Sequence, residues 1–297
     1  MEHSPVMTGC ITALLTPFKG PNLDEDALRA LVEAQIAGGV DGLVPCGTTG
    51  ESPTLSTQEW ERVIQITVET AAGRVPVMAG CGTNNTSQTV TNARRAQELG
   101  ANALLVVAPY YNKPTQEGLF QHFKAVAEAV SIPVCVYNIP GRSVVNISPE
   151  TFKRLAHVPG ITSVKEATGD LKVATDIMLA TDHQLTMLCG DDFVSLPFIA
   201  QGGHGVISVV SNVDPARTSR MIHSARGGDF HTARQLHLEL FPLVKALFME
   251  TSPSPAKMAL AMMGQMEETV RLPMVTPGES TRTLVRDALE RLDLVGR

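Results

Sequence analysis

A short strand-forming run followed by a helix-forming run recurs eight times between residues 11 and 226, and that alternation leaves few architectures open. Each unit takes roughly 25 to 35 residues, the length of a βαβ unit. β-Branched or apolar runs predict strands at 11–17, 42–47, 75–82, 103–109, 132–138, 161–167, 185–190 and 205–210. Apolar residues at helical spacing predict helices at 24–37, 57–72, 86–99, 116–130, 149–158, 171–180, 193–201 and 215–226. Many of these helices stop at glycine, which permits a left-handed C-terminal cap. Eight near-equal pairs point to a (β/α)8 TIM barrel. A doubly wound open sheet is the competing architecture, but it rarely needs eight such repeats, and no GxGxxG follows the first strand.

After Gly227-Gly228 the strand signal ends. Helical patterns at 230–250, 254–263 and 279–294 follow, so residues 1–228 are expected to form the catalytic barrel and 229–297 a three-helix extension packed on it. A chain that is 43% hydrophobic and 18% charged has the make-up of an ordinary soluble globule. A net charge of -6 gives no reason to expect nucleic acid or an anionic membrane as partner. No apolar stretch nears the roughly 18 residues of a membrane span. Residues 1–7 lack a basic stretch followed by an apolar core, so a cytoplasmic protein is expected. The five cysteines, Cys10, Cys46, Cys81, Cys135 and Cys189, form no CxxC pair and read as reduced core filler.

In a barrel of this kind chemistry gathers at the C-terminal ends of the strands. Thr16, the turn Gly47–Glu51, Tyr110–Asn112, Tyr137–Arg142, Lys165, Gly190–Asp192 and Ile207-Ser208 all fall there. Lys165 is the most informative of them. With a period of two, Ile161, Ser163 and Lys165 would share one face of a strand. If that face lines a closed barrel, the amine is desolvated, loses its proton more readily, and becomes a nucleophile able to form a Schiff base with a carbonyl. On its own segment it reads equally as a strand-end lysine reaching to water.

The neighbouring positions favour the first reading. All three tyrosines, Tyr110, Tyr111 and Tyr137, lie at this end, which suggests a shared task in proton transfer or substrate binding, although chance alone can cluster three residues. Gly47-Thr48-Thr49-Gly50 offers hydroxyls and exposed N–H groups suited to a carboxylate. Arg142, after the turn Pro140-Gly141, carries the fork that grips carboxylates. None of the eight histidines forms HExxH or another close ligand pair at a strand end, so neither metal nor cofactor is expected.

Four motifs in order, Gly47-Thr-Thr-Gly-Glu-Ser52, Pro109-Tyr-Tyr-Asn-Lys-Pro114, Tyr137-Asn-Ile-Pro-Gly-Arg142 and Lys165-Glu-Ala-Thr-Gly169, together resemble the dihydrodipicolinate synthase family of pyruvate-dependent class I aldolases. The resemblance runs from about Gly9 to at least Leu272. The related sialic acid lyases lack an arginine at the position of Arg142. The resemblance implies that Lys165 forms the Schiff base with pyruvate. It implies that Thr48 and Thr49 bind the pyruvate carboxylate, and that Thr48, Tyr137 and Tyr111 form a proton relay, Tyr111 reaching in from a neighbouring subunit. Arg142 would anchor the carboxylate of aspartate semialdehyde, and Ile207, through its carbonyl, and Gly190 would line the pocket. A homotetramer serving lysine biosynthesis is implied as well. The chain departs from the family at Ser143-Val144, where Thr-Gly is usual, and in Glu250–Met258. The family's lysine-inhibition site falls on Thr57, Trp60 and Gln88, with Asn84 and Tyr110 matching; weak or absent inhibition is expected. Two other readings stand beside this one: another pyruvate aldolase or dehydratase acting on a sugar acid, and a non-catalytic barrel binding a small acid.

Overall fold

Beside a small antiparallel hairpin, Phe18–Lys19 with Asn22–Leu23, eight strands close into a cylinder. In chain order they are β1 (Gly9–Ala13), β2 (Gly42–Val44), β3 (Met78–Gly80), β4 (Ala103–Val107), β5 (Val134–Asn138), β6 (Ile161–Glu166), β7 (Thr186–Cys189) and β8 (Gly205–Ser208). The computed structural model describes residues 7–296. His3 and the outer ends of the two expected segments, residues 1–6 and Arg297, lie outside the described residues. Around the sheet the order is β2-β1-β8-β7-β6-β5-β4-β3, every pairing is parallel, and a parallel bridge between Leu43 and Val77 joins the two ends. Closure leaves no open edge to template pairing with another chain.

Two apolar layers follow from the strand period. Ile11, Ala13, Val44, Met78, Leu105, Cys135, Tyr137, Leu188 and Ile207 fill the interior of the cylinder. Their alternates, among them Cys10, Leu43, Leu104, Val136, Val164, Met187 and Val206, face the helices. Fully burying one such aliphatic side chain contributes roughly 1.5–3 kcal/mol. The helices are α1 (Glu25–Ala37), α2 (Thr57–Ala71), α3 (Thr86–Glu98), α4 (Gln116–Ala127), α5 (Pro149–Ala156), α6 (Leu171–Ala180), α7 (Ser195–Ala200) and α8 (Pro215–Arg226). Their starts are fixed by side-chain caps: Asp24, Ser56, Asn85, Thr115, Ser148, Asp170 and Asp214 each accept a hydrogen bond from a first-turn N–H. Gly39 and Gly100, with φ of +82° and +91°, make the left-handed exits from α1 and α3.

The C-terminal helices α9 (Phe230–Leu247), α10 (Ser254–Met262) and α11 (Glu279–Arg291) pack on this frame. Leu236, Leu240, Leu243, Leu247, Met258, Val285 and Leu289 join the same buried cluster as the outer faces of the strands. No helix among the described residues is long and apolar enough to cross a membrane.

The expected elements shift where side chains take over backbone bonding. The first strand was expected at 11–17 but ends at Ala13, because the Leu15 N–H donates to Asn212 Oδ1 and leaves the ladder. The helix expected at 193–201 begins only at Ser195, after a 3₁₀ turn at Asp192–Val194. Pro197 has no N–H to give the carbonyl of Phe193, so an α-helix starting at 193 would lose that bond.

Candidate active site

Strand β6 is irregular near its start, and the irregularity decides which residues meet. Val134 pairs with Ile161 but Cys135 pairs with Ser163, a bulge that inserts Thr162. Ile161 therefore faces the helix layer rather than sharing the face of Ser163 and Lys165 as simple alternation predicts. From Ser163 onward the register is regular, and Tyr137 lies beside Lys165 on the neighbouring strand. Lys165 is 6% exposed and Tyr137 4%, and the lysine Nζ sits 4.3 Å from the centre of the tyrosine ring. The amine and the phenol thus share the interior face at the C-terminal end of the barrel.

The adjoining residues hold this face still. Glu166 points to the other side of the sheet, where its carboxylate accepts from Asn138 Nδ2 at 2.8 Å and from the Thr168 N–H at 2.6 Å. Burial pushes its carboxyl pKa up. Gly190 donates its N–H to the Glu166 carbonyl at 2.7 Å. It lies so close that a Cβ there would fall 2.5 Å from Ala167 Cβ and 3.0 Å from Lys165 Cε. Only a glycine leaves the lysine stem this room. The backbone beyond Ile207, itself buried in the barrel interior, is tied by Asp192, whose Oδ2 accepts from the Val209 and Val210 N–H groups.

The turn after β2 is wound by two consecutive bonds, Gly50 N–H to the Gly47 carbonyl and Glu51 N–H to the Thr48 carbonyl. Among the described residues the N–H groups of Thr48 and Thr49 take no partner within the chain, leaving two donors in one small concavity. Thr16 Oγ1 donates to the Gly50 carbonyl at 2.7 Å and steadies the far side. Gly80 packs beneath the turn, where a Cβ would stand 2.2 Å from the Cys46 carbonyl oxygen.

A cavity of about 290 Å³ opens beside this turn, bordered by Thr48, Trp60, Tyr110, Ile139 and Arg142. A narrower space of about 30 Å³ shares Thr48, Gly80 and Val107 with it and reaches Tyr137. Lys165 borders neither; its Nζ lies beside the Tyr137 ring, and Tyr137 lines the narrower space. Arg142 stands on a helical turn, Pro140–Ser143, at the cavity's rim and donates from Nη2 to the Ser252 carbonyl at 3.1 Å.

The fold therefore gathers Lys165, Tyr137, Thr48, Thr49, Arg142, Gly190 and Ile207 at one end of the barrel, as their strand-end positions predict. Tyr111 is the exception. At φ +73° its side chain is 86% exposed and borders neither cavity, and among the described residues no hydrogen bond joins it to Thr48 or Tyr137. Sequence reasoning missed a buried ion pair, Glu51 with Lys257, and the Asp192 tie. Glu51 was visible as the end of the Gly-Thr-Thr-Gly motif, but nothing in the sequence brings Lys257 to it. The five cysteines are free and buried, and burial pushes the thiols of Cys81 and Cys135 up to about 12 and about 11. Among the described residues no three His, Cys, Asp or Glu side chains gather as metal ligands.

Residues 6–292 match the family model described as the dihydrodipicolinate synthetase family. The chain is 50% identical over 288 residues to the 4-hydroxy-tetrahydrodipicolinate synthase of Syntrophus aciditrophicus, covering 97% of this chain and 99% of that one. It is 49% identical to the enzyme of the same name from Thermomicrobium roseum, over 96% of this chain and 94% of that one. The crystal structure of the chloride-inhibited dihydrodipicolinate synthase from Acinetobacter baumannii, complexed with pyruvate, superposes with a TM-score of 0.96. It is 39% identical, with 98% of this chain and 100% of that chain covered.

Proposed function

The chain belongs to the dihydrodipicolinate synthetase family and acts as a pyruvate-dependent 4-hydroxy-tetrahydrodipicolinate synthase of lysine biosynthesis, and we propose that Lys165 carries its chemistry as a Schiff base. The observation that carries this assignment is the buried Lys165 Nζ beside the Tyr137 ring, on the inner face of a closed barrel. A neutral Lys165 amine attacks the keto carbon of pyruvate and water leaves, giving an iminium. The methyl group then loses a proton to give an enamine, whose carbon adds to the aldehyde of aspartate semialdehyde. Tyr137 protonates the resulting alkoxide. The amine of the new amino acid displaces the lysine and closes the ring, returning Lys165 and leaving one water as the by-product.

The unpartnered Thr48 and Thr49 N–H groups suit the pyruvate carboxylate, and Thr48 adjoins Tyr137 along the narrow passage. Arg142, at the rim of the outer cavity, is suited to the carboxylate of the second substrate. Tyr111, exposed in its own chain, is suited to complete the relay in a neighbouring subunit, so the working form is an oligomer, and the family resemblance implies a homotetramer. The five free thiols fit a reducing cytoplasmic setting. We treat residues 229–297 as an extension of the catalytic barrel, since their helices share its buried cluster.

Borohydride reduction in the presence of pyruvate tests the central claim. A peptide containing Lys165 should gain the mass of the reduced adduct, and Lys165→Arg should gain none and lose turnover. Arg142→Ala should trap pyruvate normally but raise the KM for aspartate semialdehyde by about tenfold or more. Turnover on a sugar acid in preference to aspartate semialdehyde would overturn the assignment of the second substrate.

A further inference from the structure

The turn that carries Thr48 and Thr49 ends in a buried carboxylate held from the far end of the chain. Glu51, 3% exposed and at φ +53°, places Oε1 2.5 Å from the Nζ of Lys257, which is fully buried on α10. Oε2 accepts from the Arg271 N–H at 3.0 Å. The Lys257 ammonium also donates to the Thr269 carbonyl at 2.9 Å. The surroundings reinforce the pair. Lys257 Nζ lies 4.0 Å and Arg271 Cζ 4.1 Å from the centre of the Phe18 ring. The Arg271 guanidinium also bonds the Thr54 carbonyl and grips Glu59. That grip holds the Glu59 carboxyl down at about 2.

A buried ion pair is a poor way to gain stability, because desolvating two charges offsets most of their attraction. Burial accordingly pushes the Lys257 ammonium down to about 8. What such a pair does supply is a fixed geometry with severe consequences for leaving it. Here the fixed geometry lies at the last residue of a turn whose other end, Gly47, leaves the barrel. Among the described residues the only side-chain hydrogen bond to the turn's own Gly47–Gly50 backbone is that from Thr16 to Gly50, so Glu51 holds the turn from its last residue.

We propose that Glu51 and Lys257 are positioning residues for substrate binding: they clamp the Thr48-Thr49 turn from the C-terminal extension, so that its two free N–H groups are preset for the pyruvate carboxylate. The proposal rests on the reading that this turn takes that carboxylate. It gives the extension a part in the active site rather than a packing role alone. Neither side chain touches substrate; each acts through the turn.

The test is the double variant Glu51→Gln/Lys257→Met, which removes both charges together and leaves no unpaired one buried. It should fold, and its KM for pyruvate should rise about tenfold or more. Its KM for aspartate semialdehyde should stay within about threefold, because Arg142 stands on a different segment, the helical turn Pro140–Ser143. A folded double variant whose KM for pyruvate is within twofold of the parent, or whose kcat falls while that KM holds, overturns the proposal. Glu51→Asp supplies a second measurement should the double variant not fold. It keeps the charge but shortens the reach by one methylene, and it should show the same rise in KM for pyruvate; an unchanged KM overturns the proposal equally. If borohydride with pyruvate fails to label Lys165 in the parent protein, the underlying reading has failed instead, and that outcome is independent of the variants.

Discussion

Replacing Gly190 by alanine adds one methyl group at the point where β7 ends, and its cost can be worked from the contacts. The new Cβ would lie 2.5 Å from Ala167 Cβ, 3.2 Å from Ala167 Cα and 3.0 Å from Lys165 Cε. Carbon atoms pack at about 3.5–4.0 Å, so the two segments must part by about 1 Å. Ala167 has no flexible end to swing aside, and its N–H is bound to the Asn138 carbonyl. The lysine stem is the softer partner and should take much of the displacement. Overpacking of this kind typically costs about 1–3 kcal/mol. For a chain of this size that corresponds to a fall in Tm of about 2–6 °C. A displacement near 1 Å at the nucleophile lowers its rate by about 100-fold. Two assays separate the effects: thermal unfolding for the packing term, and the rate of borohydride trapping at saturating pyruvate for the position of Nζ. The trapping rate should fall far more than the modest loss of Tm explains. Unchanged trapping with full turnover would refute the argument that glycine at 190 exists to make room for Lys165.

Two further outcomes follow from the same region. Val144 closes the helical turn that carries Arg142 with a φ of +67° and is 62% exposed, a left-handed conformation that costs a non-glycine residue roughly 1–2 kcal/mol. Val144→Gly relieves that strain against the larger entropy of an unfolded glycine. A net gain of about 0.5–1 kcal/mol in urea unfolding is expected, and a less stable variant would contradict it. Lysine should inhibit weakly or not at all. The Trp60 indole N–H, its one polar group, is engaged with the Gly80 carbonyl at 2.9 Å, so Trp60 has nothing to offer an amino acid's charged groups. Half-maximal inhibition at sub-millimolar lysine would refute this.

Much of the molecule was legible in the chain because it depends on local periodicity and caps. α6 and α8 run over the residues their apolar spacing predicts, Leu171–Ala180 and Pro215–Arg226. Asp24, Ser56 and Asp170 mark helix starts by an interaction spanning two or three residues. The strand-end positions of Lys165, Tyr137, Thr48 and Arg142 follow from the same alternation, since a parallel barrel sends every strand toward one face. The first strand and the seventh helix were misjudged where a distant side chain, Asn212, or an internal Pro197 decided the backbone bonding.

Sequence by itself determined the eightfold strand-helix rhythm, the residues at the mouth of the barrel and the chemistry an amine there can perform, because each of these is written within a few neighbouring positions. Tertiary structure alone decided that a bulge at Thr162 sends Ile161 to the helices while Lys165 faces Tyr137. It alone brought Lys257 and Arg271 to Glu51 across more than 200 residues of chain. The physical reason is that register and buried ion pairs are settled by what the folded chain brings into contact, and no local pattern of residue types encodes a contact of that range.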